Sequence, residues 1–442
     1  MGPTFRMTAM SYDFAVLGCG WAGAVAAMLL KERFPASSLL VLEAEEREGG
    51  LLRSERVGGF TFDAGGSHVI FSRNRASLEE MLALLNGDYV EHERRTFVRL
   101  GERLVPYPLE TGLYALPPEE RAEALIDFLE AWVSRAPSWT PKTFEEWIRG
   151  FFGRWIAERY LIPYNEKVWK RPLSQISADW VYTPGRLPVP DWRDVARAAA
   201  GVRVIGYVEQ STFYYPLKGG IQALFDAALW RVRRAATVVK GERVTGVKKL
   251  DGYWLINRKY SAKRVISTIP LPELVKALDA PEDVRKAADE LDYNKVVVIG
   301  VGLKSRAPDQ HWVYVPQRDV IFHRYAWISN YSPYNAPQGS SALMAEVTVS
   351  RSESVNTHEI AEKTVNDLEK LGVVRRDKAE IVKAWVHEYG YPIYTLSHKE
   401  KREAILQWLN DLGIVSVGRW GCWQYWNMDK VYENVKSIVY SV

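Results

Sequence analysis

Apolar and polar positions along the chain recur with periods that predict an α/β fold. Residues 12–17 form a short apolar run ending on a Gly-rich turn, and residues 21–33 then read as a helix. Residues 39–43 follow as a second, mainly apolar strand, the pattern of a parallel sheet covered on both faces. Residues 95–100 and 103–107 flank a Gly101–Glu102 turn and predict a hairpin. From 117 to about 200 the pattern is mostly helical and rich in Trp, which predicts an inserted helical domain. A helix over 220–234 and strands over 243–249, 253–259 and 264–268 come next. Residues 294–348 read as β-rich, with 296–301 and 341–349 the clearest strands. Helices over 357–371 and 399–412, a buried strand over 414–417 and a closing helix over 429–440 complete the chain, with no internal repeat.

Composition narrows the classes. A chain of 442 residues suits two or three domains, and 47% hydrophobic with 25% charged residues is ordinary for globular proteins. The net charge is +4 and the basic residues are scattered among acidic ones, so no nucleic-acid partner is expected. Two cysteines, Cys19 and Cys422, are too few for a disulfide framework or a thiolate metal site, and they read as packing residues. The seven histidines show no HxxxH or HExxH spacing, so no metal is expected. The longest uncharged run, 14–30, carries Gly18, Gly20 and Gly23, and so reads as strand–turn–helix and not as a membrane span. The first ten residues have no apolar signal-peptide core, and the expected location is the cytoplasm. The unusual feature is aromatic: 17 Trp, 23 Tyr and 14 Phe.

The Gly-rich turn is the first chemistry-bearing motif. Gly18-Cys-Gly20-Trp-Ala-Gly23 permits a tight turn, close approach to a pyrophosphate and tight helix–strand packing. Glu43 ends the next strand about 20 residues on, where a carboxylate binds ribose hydroxyls. It opens an ExxxxxGG string closing at Gly49-Gly50, which resembles the FAD-binding signature of the amine oxidase/GDI superfamily. Residues 265–270 (VISTIP) resemble the return strand of that superfamily, and Gly418-Arg419 resembles its C-terminal flavin-contact motif.

The remaining motifs are residues 62–72 (FDAGGSHVIFS), 105–109 (VPYPL), 163–169 (PYNEKVW), Arg324 with 329–335 (SNYSPYN), 390–392 (GYP) and 418–425 (GRWGCWQY). Together they resemble one family, UDP-galactopyranose mutase, particularly its eukaryotic-type branch. Such a member has a discontinuous Rossmann-like FAD-binding domain, here 1–100, 206–290 and 396–442. It also has a mainly helical inserted domain at 101–205 and a β-sheet substrate domain at 291–395. The resemblance implies interconversion of UDP-galactopyranose and UDP-galactofuranose, with reduced FAD attacking the sugar through N5. NAD(P)H is then a transient reductant over the flavin, since no second dinucleotide fingerprint is visible.

Expelling a diphosphate calls for cations, and the planar fork of Arg suits phosphate. Arg324 is the expected clamp, with Arg419 at a matching family position and Arg186 the nearest candidate for a second clamp. His68 joins them as a catalytic candidate in the loop that contacts the flavin N5 region. Ser67 is inserted between Gly66 and His68 relative to the usual GGHV string. The resemblance assigns Gly18, Gly20, Gly23, Glu43, Gly50, Leu51, Ser67, His68, Val244, Gly418, Met428 and Asp429 to the flavin. It assigns Tyr107, Asn165, Trp169, Tyr314, Arg324, Tyr331, Tyr391 and Tyr425 to the UDP-sugar, with Asn165 and Trp169 in the uridine loop. Glu110 stands where the family has Gln after the PYP string, and the long loop insertions of the eukaryotic branch are missing. UDP-arabinopyranose or another nucleotide sugar is the runner-up substrate. An oxidase or desaturase of the same superfamily, or a GDI-like binding module, would share the fold without a use for SNYSPYN and YNEKVW.

Overall fold

The computed structural model describes residues 10–136, 138–182, 189–204, 206–207 and 211–441. The chain folds into two compact units. The first is built from the chain up to Arg53, Leu224–Leu291 and the chain from His398 on; the second is Ser54–Ala223 with Asp292–Ser397. The expected boundaries near 100 and 205 both fall inside the second unit, because Thr96–Leu100 pairs with Trp312–Tyr314 more than two hundred residues away.

In the first unit the opening strand Met10–Leu17 lies parallel to Leu39–Leu42 on one side and Tyr260–Ser267 on the other. Thr237–Val239 and Ile414–Ser416 extend the parallel set, and Val247–Leu250 with Tyr253–Ile256 adds an antiparallel meander. This is the α/β, Rossmann-like arrangement that the apolar runs predict, assembled from three separate stretches of chain. The first helix, Trp21–Arg33, buries nine residues, mostly small ones, which lets it pack close to the sheet. The helix expected over 220–234 occupies only Gln222–Trp230, because Gly219 and Gly220 stand at φ +85° and +70°. The strand expected from 243 begins at Val247. Before it, the Asn257 carboxamide accepts the Thr245 and Gly246 N–H groups and donates to the Arg243 carbonyl, taking groups a ladder would need.

In the second unit a seven-stranded mixed sheet runs from the edge strand Ala379–Ile393 through Asp292–Leu303, Ser341–Ser350, Arg324–Ala326, Trp312–Tyr314 and Thr96–Leu100 to Arg103–Pro106. Ser341–Ser350 is buried at every position. Ala379–Ile393, fifteen residues long, lacks a continuous apolar run because Glu380, Lys383 and Glu388 interrupt its first two-thirds, where exposed and half-buried positions are mixed. The helical part of this unit includes Pro118–Ser134, Phe144–Ile156 with a Thr143/Glu146 capping box, and a π turn Ala157–Leu161 leading into Ile162–Trp169. Among the described residues no helix is long and apolar enough to cross a membrane.

Candidate functional site

In the first unit the Gly-rich turn is shaped by contacts that only glycine allows. A Cβ on Gly23 would lie 2.0 Å from the Gly18 carbonyl oxygen, and one on Gly18, at φ +94°, would lie 2.6 Å from Thr268 Oγ1. A Cβ on Gly20, by contrast, would meet nothing nearer than the Gly50 Cα at 4.0 Å. Its missing side chain leaves open space at the N-terminus of the first helix, which has no side-chain cap and no carboxylate in its first turn. Backbone N–H groups and the helix dipole are thus presented to an anion. Glu43 accepts the Cys19 N–H at 2.8 Å and the Glu45 N–H at 3.0 Å, which fixes the carboxylate beside the turn. The ExxxxxGG string returns to the same place: Gly49 N–H donates to Cys19 O, and Gly20 and Gly49 form a parallel bridge.

The other flavin candidates of this unit are arranged as follows. Leu51 sits in the 3-10 turn Gly50–Leu52, and Val244 is half-buried in a loop. Gly418, at φ +81°, donates to Asn434 Oδ1 and faces Ala22, where a Cβ would lie 2.5 Å from that side chain. The Met428 carbonyl accepts the Trp21 indole N–H at 3.0 Å, and Asp429 is buried in the first turn of the closing helix. Arg419 stacks over Tyr425 at 4.5 Å and donates to Trp426 O. The residues present therefore fit a dinucleotide: an uncapped helix start, a cradle at Gly20 that a Cβ would narrow, and an anchored ribose-type carboxylate. Cys19 and Cys422 are buried, and burial pushes their thiols up, Cys422 to about 12, so neither is a thiolate nucleophile. Among the described residues no three His, Cys, Asp or Glu side chains form a metal-binding group.

In the second unit the predicted polar residues converge on one carboxylate that the motifs do not announce, Glu346. Glu346 Oε1 accepts Arg324 Nη2 at 2.7 Å and the Ser67 N–H at 3.0 Å, and Oε2 accepts the Tyr391 hydroxyl at 3.0 Å. Arg324 and Glu346 are register partners on adjacent antiparallel strands, so the sheet itself brings them together. Burial opposes ionisation of Glu346, yet the guanidinium and these hydrogen bonds outweigh it and hold the carboxyl down to about 2. His323 Nε2 stands 3.7 Å away, but burial lowers this histidine to about 3 and keeps it neutral, so Arg324 is the compensating cation. Arg324 Nη2 also donates to Ser67 O at 3.4 Å, while its Nε is buried without an acceptor among the described residues.

The inserted Ser67 is thus a junction. Its hydroxyl shares a 2.7 Å hydrogen bond with Tyr331, and the neighbouring His68 donates from Nδ1 to Gly66 O. Tyr107, Tyr314, Tyr164, His323 and Tyr391 form a chain of ring contacts with centroids 5.1, 5.3, 6.0 and 6.1 Å apart in that order. Tyr164, in the YNEKVW motif, keeps a half-buried ring on this chain. Trp169 does not: it is 1% exposed, packed between Trp180 and Tyr391. Asn165 is buried and donates to Leu161 O at the end of the preceding π turn. Glu110 is buried as well, accepts the Tyr207 hydroxyl, and has its carboxyl raised by burial. Arg186 lies outside the described residues. Glu346 had one visible signal, a lone acid inside an otherwise uncharged strand, SALMAEVTVS.

Comparison with known proteins gives this fold and site a class. The sequence model of the family "Flavin containing amine oxidoreductase" matches residues 21–431, and the chain belongs to that family. FAD is its cofactor. A crystal structure of reduced UDP-galactopyranose mutase superposes with a TM-score of 0.88 at 26% identity, covering 97% of this chain and 93% of that chain. By sequence, the chain is 26% identical over 311 residues to coproporphyrinogen III oxidase from Mycobacterium leprae (strain TN), across 66% of this chain and 67% of that protein. An oxidoreductase from Methanosarcina mazei shares the fold, with a TM-score of 0.67 at 14% identity over 98% of this chain and 100% of that one.

Proposed function

We propose that the protein is a flavin-dependent isomerase of a nucleotide sugar, interconverting UDP-galactopyranose and UDP-galactofuranose. The observation that carries this reading is Arg324: a guanidinium with one buried, unsatisfied N–H, set among tyrosine hydroxyls, on a chain that resembles a reduced mutase along nearly its whole length. FAD, bound by the first unit and reduced, supplies the nucleophile. The chain's own residues supply binding and electrostatics. Arg324 binds the diphosphate leaving group, and Glu346 keeps that guanidinium oriented. Tyr107 and Tyr314 line the substrate and donate hydrogen bonds without adding charge, while Tyr331 and Tyr391 line it with hydroxyls held by Ser67 and Glu346. In the YNEKVW segment we assign the base-stacking face to Tyr164, because Trp169 is fully buried, in edge-type contact with Trp180 and Tyr391. Glu110, held by Tyr207 in place of an amide, is the position where the substrate's base or sugar preference differs. NAD(P)H is the proposed reductant.

The test is turnover of UDP-galactofuranose by dithionite-reduced protein, read by separating the two sugar nucleotides. Isomerisation by reduced but not oxidised protein is expected. Arg324→Ala is expected to keep its FAD absorbance and lose at least 100-fold in turnover, on the order of 3 kcal/mol of transition-state stabilisation. The partial likeness to a coproporphyrinogen oxidase favours a second reading, an oxidase. Hydrogen peroxide released from coproporphyrinogen III, without any isomerisation, would establish it in place of the first.

A further inference from the structure

A cavity of about 280 Å³ opens in the second unit, lined by Lys167, Lys170, Arg318, Asp319, Val320, Ile321 and Lys363. None of these residues belongs to the polar and aromatic cluster around Arg324. The lining is strongly one-signed, with four cations against a single carboxylate.

The charges nearby neutralise it only in part. Glu166 pairs with Arg318, Asp319 is already paired with Lys370, and Glu353 acts on Lys170 without forming an ion pair. Asp367 is buried and accepts the Ile321 N–H at 2.7 Å. Lys167 is 9% exposed and donates to the Val315 and Gln317 carbonyls, each at 2.9 Å, which uses two of the three N–H groups of an ammonium. Lys170 closes the same helix in the left-handed conformation, φ +53°, and is half-buried. Among the described residues, no hydrogen bond or ion pair within the chain holds its ammonium or that of Lys363 on Thr357–Lys370.

Structural duty explains part of this group, since Lys167 ties its helix to the 315–317 segment. It does not explain why two further lysines crowd the same cavity without forming an ion pair among the described residues, where like charges repel. Burial, with Lys170 adding to it, pushes the Lys167 ammonium down to about 7, and burial also lowers Lys170. An anion in the cavity relieves both effects. The volume falls just below the roughly 300–1,000 Å³ of pockets that hold whole drug-sized ligands, so the occupant is compact. Lysine ammonium groups bind phosphate as point charges.

We propose that this cavity is a second anion site, separate from the Arg324 cluster, and that it takes a compact phosphate-type oxyanion, inorganic diphosphate or phosphate. The test is isothermal titration of the FAD-loaded full chain with inorganic diphosphate and with phosphate. The wild type is compared with the double variant Lys170→Asn, Lys363→Gln and, separately, with Arg324→Ala. Asn tolerates the left-handed position and Lys363 is exposed, so the double variant is expected to melt like the wild type. Expected is a diphosphate site that survives Arg324→Ala and weakens at least tenfold in the double variant, whose affinity for UDP stays unchanged. Equal diphosphate binding by wild type and double variant overturns the proposal, as does loss of all diphosphate binding in Arg324→Ala. Vesicles containing phosphatidic acid form a further arm: binding to them without binding of free diphosphate also overturns it, in favour of a lipid headgroup.

Discussion

At the scale of single residues, the chain's central feature is a buried carboxylate with one strong cation. Glu346 is 2% exposed and takes donors from Arg324, Ser67 and Tyr391, so removing its charge leaves Arg324 uncompensated. Breaking a buried pair from one side costs about 3 kcal/mol or more, whereas replacing both partners by apolar groups recovers much of that. Glu346→Gln is therefore expected to lower unfolding stability by about that amount in urea titrations, and Glu346→Gln with Arg324→Met to be the more stable of the two variants. Equal losses in the single and double variants would show that the pair is not the source. The same residue marks the limit of reading motifs. Arg324 stands out beside a rare string, but its partner is set by strand register, and a lone Glu in a strand has no local signature of what faces it.

At the scale of elements, the strand–turn–helix that opens the first unit is where sequence and structure agree most closely. The helix predicted over 21–33 forms as Trp21–Arg33, because apolar periodicity, the glycines before it and Lys31 and Arg33 in its last turn all act locally. Two of its glycines have different duties, and substitution separates them. Gly20→Ala meets no atom closer than 4.0 Å, so the fold should persist while the added methyl group obstructs the anion's approach. Gly23→Ala would place its methyl 2.0 Å from the Gly18 carbonyl, which forces helix and turn apart. Flavin content after purification, read beside the thermal melting point, should fall alone in Gly20→Ala and together with stability in Gly23→Ala. A Gly20→Ala protein with full flavin occupancy would refute the assigned approach path. Elements without local signals were harder to read. The edge strand Ala379–Ile393 has its apolar residues interrupted by Glu380, Lys383 and Glu388, and the strand at Val247 starts late because of a side chain ten residues downstream.

At the scale of the molecule, near-neutral net charge conceals opposed buried acids. Asp63 is fully buried, accepting from Ser54, Tyr215 and the Ile221 N–H, with no cation among these partners, and burial raises its carboxyl to about 6. Between its ordinary 3.8 and about 6 the folded state holds more protons than the unfolded one. Its contribution is full below that window and lost as pH rises through it, about 3 kcal/mol for a shift of about two units. Glu346 behaves oppositely: lowered from 4.5 to about 2, it adds stability as pH rises through that range and loses it in acid. Urea midpoints followed from pH 4 to 7 should therefore decline towards pH 6 in the wild type and flatten in Asp63→Asn; parallel curves would reject the assignment. Neither carboxyl could be singled out from composition, since burial and partners are set by distant chain. By itself the sequence determined what is local: the Gly-rich turn, the apolar strand beside it, the helix that follows, and the family motifs in their order. Only the tertiary structure decided that Asn165 and Trp169 of YNEKVW are buried while Tyr164 is not, that Glu346 lies against Arg324, and that Lys167, Lys170, Arg318 and Lys363 share one cavity. Those facts depend on strand register and on packing between segments far apart in the chain, and no local pattern of residues encodes such contacts.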